Sequence, residues 1–257
     1  RYMDGITSKA DVLKNLYGKL KYSRIEKMRI VTGGEFERDP YSMAKDIGGE
    51  FGAGKIVVRS SSSNEDGMNT SNAGHYESVL GVDPGNPEEV MRAIREVLES
   101  YKCDLDDVTD EQVLIQTQVE SISYSGVIFS RELKKNRPYY AITYDEDSTD
   151  VVTSGRGGKT VYILRNAHED SLPEHWHALI RAMRELEGVF SDYPIDVEFA
   201  VDEKNAVIIF QVRPLAASIR AEKCSISDEE IFAAADRACQ KYREIGDLLG
   251  EKNTILS

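Results

Sequence analysis

Between residues 113 and 164 the chain reads as strand after strand with no helix between. Residues 113–119, 126–130, 139–144 and 160–164 are all rich in β-branched and aromatic side chains. A parallel pair needs a crossover of a dozen or more residues, usually helical, so strands on short connections predict mixed or antiparallel sheets rather than a doubly wound parallel one. Further strands are expected at residues 55–59, 195–201 and 206–212. Helices are expected at four places: from a Ser8 cap to about Tyr22, from the Asn86-Pro87-Glu88-Glu89 start to Tyr101, over residues 174–190, and from a Ser227-to-Glu230 capping box towards Gly250. The second of these carries Val90, Ile94, Val97, Leu98 and Tyr101 on one face. The expected class is α/β in the α+β sense, with antiparallel character.

Composition narrows the functions open to such a fold. The 257 residues carry 45 acidic against 32 basic side chains, a formal net charge of -13, so the protein's field repels nucleic acid and anionic lipid. No nucleic-acid or membrane partner is expected. The 3 cysteines, Cys103, Cys224 and Cys239, show no CxxC spacing, and no run approaches the ~18 apolar residues of a membrane span. A cytoplasmic protein is expected. Because the first residue is Arg1, the sequence is read as an N-terminal piece of something longer, with a charged connector helix over residues 219–257 after a unit at 6–218.

Two segments carry chemistry. In the first, the strand Lys55-Ile56-Val57-Val58-Arg59 runs into Ser60, Ser61, Ser62 and Ser63, with Glu65 and Asp66 beyond and a second small-residue turn at Ala73 and Gly74. Hydroxyls and backbone N–H groups of such loops can cradle phosphate, and a guanidinium adds forked charge. Composition alone fits a solvated serine-rich loop as well. In the second, alternation along 195–201 sets Asp196 and Glu198 on the face opposite Ile195, Val197 and Phe199. Pairing Val201 with Ala206 puts Asp196 opposite Gln211, with Glu198 diagonal to it and Arg213 on the same face. Carboxylate, amide oxygen and guanidinium side by side suit magnesium and a polyphosphate. An ordinary hairpin with one wet face has the same pattern.

Taken together the segments resemble a family. Val58-Arg59-Ser60-Ser61 with Glu65-Asp66, Ala73-Gly74 with Glu77, Ser125-Gly126, Asp196-Val197-Glu198 and Gln211-Val212-Arg213-Pro214 follow the order and approximate spacing of the nucleotide-binding domain of phosphoenolpyruvate synthase, pyruvate phosphate dikinase and rifampin phosphotransferase. The resemblance covers about residues 6 to 218. It implies an ATP-grasp fold, two lobes gripping Mg-ATP. Lys9 and Arg59 would contact phosphates; Ala73, Gly74, His75 and Ser78 would belong to the phosphate loop; Gln116, Gln118 and Val119 would pass the adenine. Glu198 and Gln211 would hold magnesium, and Arg213 would stabilise charge on the transferred phosphoryl group. ATP and Mg2+ are the implied ligands. The implied reaction phosphorylates a histidine on a separate swivelling domain, for onward transfer to a small-molecule acceptor.

None of the 4 histidines, His75, His168, His175 and His177, lies in a Thr/Gly-rich segment of the kind the family uses as phosphocarrier, so that domain is expected elsewhere in the polypeptide. His175 and His177 do not share a helix face, which argues against a metal pair. The family's Gly-Leu-Gly-Glu element is replaced by an acidic loop around Asp145, Glu146 and Asp150, either a solvated turn or a ribose contact. With the opening helix, this departure is similar to the capsule-associated L-glutamine kinases. The alternative to an enzyme part is a noncatalytic nucleotide-binding regulatory module that keeps the fold, and a third reading is an acidic protein-interaction domain.

Overall fold

The computed structural model describes residues 8–61, 78–103, 105–134, 136–146, 158–191, 193–215 and 226–249. Two antiparallel sheets organise them. The first has 4 strands in the order β1-β4-β2-β3: β1 (Met28–Thr32), β2 (Ile56–Ser61), β3 (Ser78–Val82) and β4 (Gln112–Thr117). The second has 5 strands in the order β7-β6-β5-β8-β9: β5 (Ile122–Phe129), β6 (Tyr139–Asp145), β7 (Lys159–Leu164), β8 (Ile195–Asp202) and β9 (Val207–Pro214).

Period-2 alternation explains how each sheet is covered. In the first lobe Ile56, Val58, Val113 and Ile115 point one way and are buried with Phe36, Ile47, Ile94, Val97 and Tyr101. Those partners come from α2 (Gly33–Arg38), α3 (Pro40–Phe51) and α4 (Pro87–Tyr101). In the second lobe Ile128, Ile142, Val197, Phe199 and Val212 share a core with Leu13 and Leu16 of α1 (Lys9–Leu16) and with Ile180, Met183 and Leu186 of α5 (His177–Val189). Beneath that core Glu187 is buried; it accepts from the Tyr140 hydroxyl at 2.7 Å and from Arg165 at 2.6 Å. Burial and the neighbouring Glu187 push the Tyr140 hydroxyl up to about 12, so it stays a donor at neutral pH.

The helix from Asn86 forms as its signals require: Asn86 accepts from Glu89 N, Pro87 opens the first turn, and the apolar stripe faces the sheet. The Ser227 box also forms, with Ser227 N donating to Glu230 and Glu230 N to Ser227 Oγ, at the start of α6 (Asp228–Leu249). The first helix is shorter than expected. It stops at Leu16, Tyr17 leaves helical geometry, and Gly18 takes φ 71°, a left-handed stop that outweighs the apolar spacing continuing to Leu20. The helix expected over residues 174–190 begins as a 3-10 turn at Glu174–Trp176. β1, α2, α3 and β3 were not anticipated, although Thr32 with Glu35 forms a capping box and Asp39 caps a helix that starts on Pro40.

Gly126 sits where β6 crosses closest to β5. A Cβ there would stand 2.1 Å from the Thr143 carbonyl oxygen and 2.8 Å from Tyr144 Cα. Gly126→Ala is therefore expected to cost about 1–3 kcal/mol of stability, read as a lower midpoint in urea denaturation. An unchanged midpoint would refute this.

Candidate functional site

The face of the first sheet away from its helices looks onto the second lobe. Met28 pairs with Gln116, Val57 with Gln116, and Arg59 with Ser78, so these residues share that face. The ladder continues past β1, Thr117 N donating to Lys27 O at 3.0 Å, which brings Glu26 alongside Gln118. A cleft follows from this arrangement. It is lined by Glu26, Val57, Arg59, Ser78, Leu80, Gln116 and Thr117 from the first sheet and the segment before it, by Gln118 and Val119 just after β4, and by Ile122, Glu198 and Phe210 from the second sheet. Some 780 Å³ of non-protein space lies within it, part of it open to solvent.

Arg59 closes the cleft across the lobes. Its guanidinium donates to Glu198 Oε2 at 3.2 Å and to the Phe210 carbonyl at 3.3 Å. Both side chains of the pair are about one-fifth exposed, at 22% and 23%, so the charges are partly shielded from water yet reachable by a ligand. At the other end Gln116 is 2% exposed, and its Oε1 is buried without a hydrogen-bond partner. A buried amide acceptor left unmatched is costly.

The hairpin register differs from the expected one. Glu198 stands directly opposite Gln211 and Asp196 opposite Arg213, while Val201 faces Val207. Two local features shift it. Asn205 adopts φ 59°, which lengthens the turn, and the ladder slips between Glu198 and Phe199, leaving Phe210 as the extra residue of a bulge. The slip is what aims the Phe210 carbonyl at Arg59. Arg213 is held by Asp196, from Nη2 to Oδ2 at 2.5 Å and from Nε to both oxygens at 3.2 Å.

Of the residues singled out from sequence, Arg59, Ser78, Gln116, Gln118, Val119 and Glu198 line the cleft. Gln211 is buried across the ladder from Glu198, and neither it nor Arg213 or Lys9 is in the lining. Lys9 is the first residue of α1, whose Ala10 N donates to Ser61 Oγ at 3.0 Å, two positions beyond Arg59. Gln118 is otherwise engaged: its Oε1 accepts from Gly81 N at 2.6 Å, tying β3 to the end of β4. Ala73, Gly74 and His75 lie outside the described residues, as does Asp150. Glu146 pairs with Lys159 at 3.0 Å on the surface, and neither Asp145 nor Glu146 lines the cleft. His177 Nε2 meets Leu172 O at 2.9 Å while His175 stacks beside Trp176. Sequence reading missed Glu26, Leu80 and Phe210, since placing them requires the register between strands.

Among the described residues no group of three or more His, Cys, Asp or Glu forms a ready-made metal cage.

Residues 35–154 match the family described as the pyruvate phosphate dikinase AMP/ATP-binding domain. This chain is similar to that domain. The match takes in Arg59 and Gln116 and stops before the Glu198 hairpin, which rests on the geometry above. Among solved structures, the protein PH1788 from Pyrococcus horikoshii Ot3 has a TM-score of 0.51 at 15% identity, covering 82% of this chain and 92% of its own. A dinucleotide-forming acetyl-coenzyme A synthetase from Ca. Korarchaeum cryptofilum, solved with coenzyme A, Ca-AMPCP and HgCl+, has a TM-score of 0.51 at 15% identity, covering 82% and 94%. At such identity these likenesses speak to the fold, which is ATP-grasp. No curated protein sequence matches the chain.

Proposed function

We propose that the cleft binds Mg-ATP and that the chain is the nucleotide-binding part of a phosphotransferase. The observation that carries this is the convergence, on one sheet face and its opposing hairpin, of Arg59, Glu198 and the unmatched Gln116 acceptor. Arg59 would exchange Glu198 for a phosphate, and Glu198 with Gln211 would hold the metal. Lys9 and the loop with Ala73, Gly74, His75 and Ser78 would complete the phosphate site, and Arg213 would support the transferring group. Gln118 and Val119 would border the adenine. The unit at 6–218 would present the phosphoryl group to a histidine on a further domain of the polypeptide, joined through the helix within 219–257, for delivery to a small molecule, L-glutamine being the candidate. No helix among the described residues is long and apolar enough to cross a membrane, and Cys103 and Cys239 are free, which supports a cytoplasmic setting.

Thermal unfolding tests the binding. Saturation at 100 times Kd stabilises by about 2.7 kcal/mol, so Mg-ATP is expected to raise the melting temperature by roughly 5–10 °C, and ATP with chelator by clearly less. No magnesium-dependent shift would sink the proposal. A shift without phosphorylation of any histidine-bearing domain of the full polypeptide would favour the regulatory module.

A further inference from the structure

Glu26 belongs to none of the segments that suggest nucleotide binding, yet it lines the same cleft. It sits in the segment between the isolated bridge at Arg24 and the start of β1, where the chain crosses between the lobes. On one side Arg24 joins the edge of β9, its N donating to Val207 O at 2.9 Å and its carbonyl accepting from Ile209 N at 2.9 Å. On the other, Met28 begins β1 beside Gln116. Side chains two apart share a face, so Glu26 points to the same side as Met28 and Gln116. Its orientation is fixed from behind: Arg24 Nε donates to Glu26 Oε1 at 2.6 Å, and Arg24 is itself anchored on Asp202 at 3.2 Å. The Glu26 side chain is 22% exposed.

We infer that Glu26 is a specificity-determining residue that accepts a hydrogen bond from the exocyclic amino group of the nucleobase, with the unmatched Gln116 amide beside it. The inference rests on the nucleotide reading of the cleft and adds to it which group selects the base. Three observations lead there. First, position: Arg59 and Glu26 lie two strand spacings apart across the sheet and four residues apart along it, about 16 Å in all. That is the length of an extended nucleoside triphosphate, so with phosphate at Arg59 the far edge of the base, rather than the ribose, reaches Glu26. Second, polarity: Gln116 lines the cleft and is 2% exposed, and its Oε1 has no hydrogen-bond partner among the described residues. Third, chemistry: an amide can turn and offer either end, whereas an ionised carboxylate only accepts. Glu26 therefore sets the sign of this corner. The corner wants an N–H donor.

The test compares Mg2+ complexes of three probes by calorimetric titration: ATP, purine riboside 5′-triphosphate, which lacks the 6-amino group, and 2′-deoxy-ATP. The wild-type chain is expected to bind ATP about tenfold or more tightly than the purine analogue, because losing the donor removes a hydrogen bond to a charged acceptor. Glu26→Ala should remove most of that preference and leave the ratio of ATP to 2′-deoxy-ATP unchanged. Glu26→Gln, whose carbonyl can still accept, should keep part of the preference and guards against a folding defect in the alanine variant. Equal wild-type affinity for ATP and the analogue overturns the inference, and so does an equal loss for both in Glu26→Ala. A preference for the 2′-hydroxyl that vanishes in Glu26→Ala also overturns it, assigning Glu26 to the ribose. These failures leave nucleotide binding standing; failure of all three probes to bind removes both readings.

Discussion

Replacing Glu198 with glutamine is expected to weaken Mg-ATP binding by on the order of 100-fold while strengthening the binding of metal-free ATP. The two effects have opposite signs for one electrostatic reason. The Glu198 carboxylate lies in the cleft, 3.2 Å from Arg59, where the proposed function would put the nucleotide phosphates. With magnesium present it would serve as a ligand, and even outer-shell partners of a bound metal are worth 10–100-fold in affinity. Without the metal it is a negative charge facing the polyphosphate, in surroundings that screen it less than water does. Glutamine keeps the shape and an acceptor oxygen and removes the charge. The side chain is 23% exposed on the cleft face, away from the Val197 and Phe199 core, so the fold has no reason to change. Titration with ATP in magnesium and in chelator reads both signs. A uniform loss in both conditions would point to damage rather than to a lost ligand.

Arg59→Met should lower Mg-ATP affinity by about 100-fold, with Arg59→Lys falling between it and the wild type. Hydrogen bonds to charged groups contribute about 1.5–3 kcal/mol each, and Arg59 has two bonds to transfer, those now made to Glu198 and to the Phe210 carbonyl. Lysine retains the charge but not the planar fork that can serve two acceptors. Methionine retains the stem, which lies against the Phe210 ring with the guanidinium carbon 5.8 Å from its centroid. Full-strength Mg-ATP binding by the methionine variant would end the assignment of Arg59 to phosphate. Since Arg59 also ties the two lobes in the free protein, the same variant should show faster limited proteolysis without nucleotide than the wild type does.

Much of this was legible because it depends on period and on caps. The β-branched run Ile56-Val57-Val58 already marks a strand that delivers Arg59, and the Asn86 and Ser227 caps mark helices that form as read. Register was not legible. A longer turn and one bulge residue, Phe210, together move Glu198 from a diagonal to a direct position against Gln211, and nothing in the local sequence signals the bulge. Glu26 was invisible for a related reason. Its side of the sheet is fixed by a strand some 90 residues later, and Met28-Arg29-Ile30-Val31-Thr32 is too short and too charged in its surroundings to stand out as a strand.

The placement of α1 has a consequence for how the protein comes into being. Its Leu13 and Leu16 share a core with Val207, Ile209 and Val212 of β9, although all of the first lobe lies between them in the chain. On the ribosome the first lobe can collapse onto its own helices as soon as β4 has emerged, whereas α1 must wait, its apolar stripe uncovered, until the last strand of the second sheet is made. A helix made before the first lobe is thus among the last to dock. Stalling translation just before β9 should leave a protease-resistant first lobe and a still-cleavable α1.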